Sequence, residues 1–338
     1  MLKTKVVILN WNGEQWLSRF LPRVVDTLPE WASVVVADNG STDSSAEVVS
    51  RHEGVEWLPL GENYGFAEGY NRALNGMEGD IFVLLNSDVE PAEGWLTPLV
   101  ERLEANPQLA AVQPKILSHS EPTKFEYAGA AGGYIDHYGY PFCRGRIMGT
   151  TENDRGQYDT PKEIFWASGA CMAIKAEVWH KSEGLDGDFF AHMEEIDLCW
   201  RLQLLGYKIE VEPRSVVYHV GGGTLPNNSP RKIYLNFRNS LYMLHKCLPE
   251  GDMWRLRLRL WLDRLSWAAY VATRKRSFAR AVCRAHCDYR KARPMLDTKR
   301  NALPHSANER LPQTVFDGWI VWRRLCGKQR FSQLGIDK

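Results

Sequence analysis

Ile81-Phe82-Val83-Leu84-Leu85-Asn86-Ser87-Asp88-Val89-Glu90-Pro91 changes character part-way along. Its first five residues are apolar without alternation, the pattern of a strand buried on both faces. Two small polar residues follow and then a carboxylate, so Asp88 emerges where the strand ends. Upstream the design recurs twice. Residues 6–9 run into Asn10-Trp11-Asn12-Gly13, and residues 34–37 run into Asp38-Asn39-Gly40-Ser41-Thr42-Asp43. Weaker strand patterns lie at 55–60 and 110–114, and helical patterns fill the gaps at 14–27, 44–52, 67–76 and 93–104. Strand–helix alternation at this spacing predicts an α/β fold built on a mostly parallel, doubly wound sheet flanked by helices. Ligands of such sheets bind outside the carboxyl ends of the strands, which is where the polar clusters fall.

The alternation stops after Lys115. Residues 118–162 are rich in Gly, Tyr, His and Pro and read as loops with short antiparallel strands. Order returns over 165–175, a helix is predicted over 194–205 with Gly206 as its C-cap, and strands follow at 208–211 and 215–219. From residue 231 onward the pattern is helical and basic. The formal net charge of +1 conceals this split: residues 1–230 hold 18 Lys and Arg against 33 Asp and Glu, and residues 231–338 hold 24 against 8. Such a division predicts an enzymatic front and a back that meets something anionic. Residues 253–262, Met-Trp-Arg-Leu-Arg-Leu-Arg-Leu-Trp-Leu, mix arginine with aromatic and aliphatic groups, which suits the headgroup region of an anionic membrane surface. The competing reading is a helical arm on the acidic front, or a contact between copies. The seven cysteines are odd in number and lack zinc or CxxC spacing, which reads as reduced thiols. With no signal-peptide pattern and no apolar run of about 18 residues, the expected location is cytoplasmic, peripheral at the inner face of the cell membrane. Nucleic acid is not an expected partner.

The strand ends carry the chemistry. Neither a GxGxxG turn nor a GxxxxGK[ST] loop follows the first strand, so the expected ligand is a nucleotide held without a glycine-rich cradle. Asp38 is placed to accept the imide N–H of a uracil or thymine ring, although Asp-Asn-Gly is also ordinary turn chemistry. Asp88 offers a hard oxygen that can hold Mg2+ or Mn2+ against a diphosphate. In His192-Met193-Glu194-Glu195-Ile196-Asp197-Leu198-Cys199-Trp200-Arg201, three acids open a predicted helix. Compensation of the helix dipole explains one or two of them better than three, and one can act as a general base toward a hydroxyl. His219 ends a strand ahead of Gly221-Gly222-Gly223, where a backbone can approach a ligand closely, and is a candidate metal ligand.

Taken together these segments resemble a family 2 glycosyltransferase of the GT-A fold, over about residues 3–248. Asn63-Tyr64-Gly65-Phe66-Ala67 with Asn71 is similar to the family's NxGF…N segment. The block from Glu194 to Arg201 and the later Arg238-Asn239 look like the bacterial rhamnosyltransferase-like branch. The resemblance implies a catalytic domain over 1–230, with a donor half at about 1–115 and an acceptor half at about 116–230, and a helical basic C-terminal region over 231–338. It implies a donor site of Leu9, Asn10, Trp11, Asp38, Asn63, Gly65, Asn71, Asn86 and Ser87, with Asp38 on the base. Asp88 would be the last member of the family's DxD motif; Asn86-Ser87-Asp88 lacks the first acid. His219 would complete a site for Mn2+ or Mg2+. Glu195 matches the catalytic base, where an Asp is usual, with Glu194 and Asp197 in support. Ser168 and Gly169 resemble the acceptor floor, with Trp200 added to the acceptor site. The implied reaction is one in-line displacement with inversion, from a UDP-sugar or dTDP-rhamnose to a hydroxyl of a glycan or lipid-linked glycan. A nucleotidyltransferase would want a basic glycine loop after the first strand, which residues 10–13 do not offer. Retention of Asp38, Asp88, Glu195 and His219 together argues against an inactive sugar-binding scaffold.

Overall fold

The computed structural model describes residues 2–221, 229–305 and 310–336. Its first part alternates as the sequence predicts: β1 (Thr4–Asn10), α1 (Glu14–Asp26), β2 (Ala32–Asp38), α2 (Ser45–Ser50), β3 (Val55–Pro59), α3 (Gly65–Leu74), β4 (Ile81–Asn86), β5 (Val89–Pro91), α4 (Leu96–Ala105) and β6 (Leu109–Ser118). Side chains on successive strand residues point to opposite faces. Val6, Ile8, Val34, Val36, Val83 and Leu85 therefore pack into one layer with Leu17, Leu21, Leu99 and Val100 of α1 and α4. Val7, Val35, Phe82 and Leu84 pack into the other, with Tyr70 and Leu74 of α3. Both layers are apolar, which is why these strands show no alternation in sequence.

The middle of the chain is built from β7 (Gly133–Asp136), β8 (Pro141–Cys143), β9 (Arg146–Ile147), β10 (Thr150–Thr151), β11 (Lys162–Glu163), β12 (Cys171–Lys175), α5 (Ala176–Lys181), α6 (Glu194–Leu204) and β13 (Lys208–His219). The two strands expected at 208–211 and 215–219 are one: the ladder with β6 shifts register between Glu212 and Val216, so the polar residues between them are taken up as an irregularity. The large sheet runs β11-β13-β6-β12-β4-β1-β2-β3, with β5 paired to β13. β4, β1, β2 and β3 are parallel. β12 enters antiparallel to both β4 and β6. That inversion brings the start of β12, and Ser168-Gly169-Ala170 before it, to the edge where β1, β2 and β4 end.

The C-terminal residues form α7 (Pro230–Cys247), α8 (Met253–Ala272), α9 (Arg276–Ala302), β14 (Val315–Phe316) and α10 (Ile320–Leu325). Ser229 caps α7 by accepting the Lys232 N–H at 3.1 Å, with Pro230 at the first turn. Lys246 of α7 is buried, its Nζ 2.8 Å from the Asp197 carboxylate, and it also pairs with Asp186. Lys299 of α9 reaches Asp186 and Asp188, each at 2.6 Å. β14 departs from the helical pattern and joins β7 as a parallel strand of the smaller sheet, β10-β9-β8-β7-β14. Among the described residues, no helix is long and apolar enough to cross a membrane.

Candidate active site

The parallel register places Asn10 opposite Asp38 at the ends of β1 and β2. Asn10 Nδ2 donates to Asp38 Oδ1 at 3.2 Å and to Ser41 Oγ at 3.1 Å, while the Ser41 N–H donates to Asp38 Oδ2 at 3.0 Å. The Asp38 carboxylate is thereby buried and fixed, and the turn chemistry read from Asp-Asn-Gly is what orients it. Trp11 beside it is 44% exposed, and Asn10 Oδ1 is buried without a hydrogen-bond partner.

β5 pairs with β13 so that Val89 faces His219, which carries Asp88 to the same place. His219 Nε2 lies 3.1 Å from Asp88 Oδ1, and its Nδ1 lies 3.4 Å from Glu126 Oε2. All three residues are buried. Burial opposes charge on His219, but the Glu126 charge beside Nδ1 and the hydrogen bond to Asp88 outweigh it and raise its pKa to about 10. Burial likewise opposes ionisation of Asp88, and the His219 hydrogen bond and charge overcome it, leaving the carboxyl below its ordinary value. A divalent cation such as Mn2+ would displace the Nε2 proton, and the neutral imidazole beside the Asp88 carboxylate at this spacing would suit it. Glu126 behind the ring stands where an outer carboxylate orients a histidine ligand. Among the described residues, no group of three or more His, Cys, Asp or Glu is arranged to hold a metal ion by itself; oxygens of a diphosphate and water would complete the shell. A cavity of about 250 Å³, lined by His219, Glu126, Tyr127, Lys124 and Lys232, opens beside this cluster. Gly222 and Gly223 lie outside the described residues.

The third element is the turn into α6. Phe190, His192 and Met193 have φ of 64°, 70° and 73°, left-handed backbone in residues that rarely adopt it. Each such residue costs on the order of 1–3 kcal/mol unless its surroundings enforce it. Here one side chain does so: Asn239 Nδ2 on α7 donates to the carbonyls of Phe189, Ala191 and His192 at 3.0, 2.9 and 2.7 Å. Arg238 adds hydrogen bonds to the carbonyls of Asp188 and Phe189, both at 2.9 Å. The turn delivers Glu194 and Glu195, whose Oε2 atoms are buried without hydrogen-bond partners. A Cβ on Gly169 would sit 3.1 Å from the Phe66 ring, so the missing side chain lets that ring pack close, and 3.9 Å from the Cβ of Glu195, which lies beside this sheet edge. Burial pushes the Glu195 carboxyl up to about 7. Glu194 rises well above its ordinary value, first through burial and then through the Glu195 charge. Burial also lowers His192 to about 4, aided by Lys232.

The profile of glycosyl transferase family 2 matches residues 5–179, more than half of the chain. This chain belongs to glycosyl transferase family 2. The glycosyltransferase is 28% identical over 233 residues to an N-acetylglucosaminyl-diphospho-decaprenol L-rhamnosyltransferase of Mycobacterium tuberculosis, covering 63% of this chain and 75% of that one. It is 22% identical over 239 residues to a low-salt glycan biosynthesis hexosyltransferase of Haloferax volcanii, covering 69% and 73%. Its fold is shared with GalNAc-T7 crystallised with UDP, GalNAc and Mn2+ (TM-score 0.57, 17% identity, 73% of this chain and 48% of that longer one). It is shared also with a mannosyltransferase of Pyrobaculum calidifontis in complex with GDP-Man and Mn2+ (TM-score 0.53, 16% identity, 97% and 88%). The mixed α/β architecture is thus that of GT-A glycosyltransferases.

Several residues expected in the glycosyltransferase site are engaged within the fold. Asn63 Oδ1 accepts the Gly65 N–H at 2.9 Å, and Asn71 meets both backbone groups of Leu185, at 2.6 and 2.9 Å; both side chains brace the backbone. Gly65, at φ +80°, is needed because a Cβ would lie 2.6 Å from the Phe190 ring. Asp197 pairs with Arg201 at 2.9 Å and with Lys246 at 2.8 Å, which anchors α6. Trp200 is buried against Phe165, its Nε1 without a hydrogen-bond partner, and Ser168 Oγ donates to the Ala128 carbonyl. Leu9 packs beneath α3. Asn86, whose N–H donates to the Ala170 carbonyl at 3.0 Å, and Ser87 stay at the sheet edge beside Asp88. Glu126 was missed because it sits in the stretch read as loop, with no motif around it. The clamp by Asn239 gave only the signal of Arg238-Asn239, without its role.

Proposed function

We propose that this glycosyltransferase moves a sugar from a UDP-sugar or dTDP-rhamnose to a hydroxyl of a lipid-linked glycan, in one displacement with inversion at the anomeric carbon. The observation that carries the reading is the meeting, at one sheet edge, of a fixed Asp38, the Asp88–His219 pair and a carboxyl at Glu195 poised near neutrality. Asp38 takes the imide N–H of the base, and Trp11 offers its ring beside it. Asp88 and His219 would hold Mn2+ or Mg2+, which supplies positive charge to the departing diphosphate. Glu195 accepts the acceptor hydroxyl proton as the new C–O bond forms and the bond to the diphosphate breaks. A separate base and leaving-group site make a covalent sugar–enzyme intermediate unnecessary. The lipid-linked acceptor is inferred from the substrate in the mycobacterial relative's name, which supports a reaction at a membrane surface. The test is a panel of nucleotide sugars with Mn2+ and a lipid-diphosphate-sugar acceptor, followed by the anomeric configuration of the product. Inverted product with release of nucleoside diphosphate is expected. Release of pyrophosphate from a nucleoside triphosphate and a sugar phosphate would assign a nucleotidyltransferase instead.

A further inference from the structure

Helix α8 has its rotation fixed from inside. Arg259 Nε lies 2.8 Å from Asp263 Oδ1, Arg259 Nη1 donates to the Tyr138 carbonyl at 2.8 Å, and its guanidinium covers the Tyr140 ring at 3.9 Å. His286 of α9 meets the second oxygen of Asp263 at 3.2 Å. Leu256 and Leu262 are buried on this side. The arginines that look scattered in sequence are thereby sorted. Arg259 points inward and Arg255 pairs with Asp252 at 2.6 Å, while Arg257 and Arg264 are exposed with no carboxylate partner among the described residues.

The opposite face carries Trp254, Leu258, Trp261, Leu265, Ala268 and Ala272, spaced four and three apart in turn, which is one stripe along a helix. Trp254, Trp261 and Leu265 are 49%, 52% and 51% exposed, so about half of each large apolar side chain faces outward. Arg257 and Arg264 flank the stripe, and Arg274-Lys275-Arg276 and Arg280 continue the exposed positive charge into α9. From Met253 to Cys287 the sole acid is Asp263, which is buried. An apolar ridge edged by arginine, and without exposed carboxylate, is complementary to a surface both apolar and anionic.

We infer that this face of α8 seats the enzyme on an anionic lipid bilayer, with the helix lying in the headgroup region. It deepens the proposed function, resting on a lipid-linked acceptor for its purpose; the contact itself is set by the helix. The experiment is co-sedimentation of the full chain with phosphatidylcholine vesicles, with and without phosphatidylglycerol, alongside transfer to a water-soluble acceptor. Wild type is expected to bind anionic vesicles about tenfold or more tightly than neutral ones. Trp261→Glu with Leu265→Glu should lose that binding by about tenfold or more while melting and soluble-acceptor transfer stay unchanged. Arg257→Ala with Arg264→Ala should reduce the preference for anionic lipid alone. Absence of binding to anionic vesicles, or equal binding by wild type and the glutamate variant, overturns the inference. So does concentration-dependent dimerisation of wild type that the glutamate variant abolishes, which would assign the face to a second copy. Failure of transfer with vesicle binding intact would strike the proposed function and leave this contact standing.

Discussion

Glu195, the proposed base, carries an energetic cost. As the base it must be ionised, and burial raises its pKa to about 7, so kcat/KM should climb with pH through about 7 and level off above it; a flat profile between about pH 5 and 9 would exclude Glu195 as the base. Glu195→Gln should lower the chemical step by about 10²–10⁴-fold with nucleotide binding nearly intact, read from single-turnover rates against donor affinity. The same group bears on stability. Its folded pKa lies above the ordinary 4.5, so between about pH 4.5 and 7 the native state binds more protons than the unfolded chain, and stability falls as pH rises through that window. Glu195→Gln should therefore melt above wild type at about pH 8, with the gap closing toward about pH 4.5. At the neighbouring cluster, Glu126→Gln is expected to weaken Mn2+ affinity about 10–100-fold, by titration of the metal alone. Asp38, Asp88, His219 and the acid pair could be read from sequence because each follows an apolar run or opens a helix. Glu126 could not, because its position is set by a hydrogen bond of its N–H to the Ile116 carbonyl, in a stretch without periodicity.

The element that depends most on distant help is the turn before α6. Asn239→Ala should destabilise the protein by about 1–3 kcal/mol, since three carbonyls lose one shared donor and the left-handed residues lose their restraint. Asn239→Asp keeps the shape but carries no N–H, and its charge would face those carbonyls, so it should fare no better than alanine. Both variants should lower kcat more than they raise the donor KM, because the turn aims Glu195 and not the nucleotide site. A loss confined to stability would reduce the clamp to scaffolding. Strands β1, β2 and β4 were plain in sequence because burial on two faces leaves an unmistakable apolar run. The turn was not, because Phe190, His192 and Met193 carry no signal for positive φ, and the residue that enforces it lies on another helix. The inversion of β12 was hidden for a related reason: a buried strand looks alike in either direction.

Across the whole molecule the charge division is partly consumed within the fold. Lys246 and Lys299 neutralise Asp186, Asp188 and Asp197 around α6. Lys246→Ala leaves buried carboxylates short of a partner, and a loss of about 3 kcal/mol is expected by chemical denaturation. On the outer face of α8, Arg257 and Arg264 have no carboxylate partner among the described residues. The smaller sheet carries a further consequence, for the order in which the chain is made. Asp136, at the end of β7, accepts the N–H of Ile320 at 2.9 Å, and β14 lies in register beside β7. A ribosome adds about 5–20 residues per second, so roughly ten seconds or more separate the emergence of β7 from that of its partner strand. The donor strands can close early in synthesis, while the neighbouring sheet stands with an open edge until residues past 315 have been translated. A nascent chain arrested before that point would hold the closed parallel strands of the large sheet beside an unfinished small one.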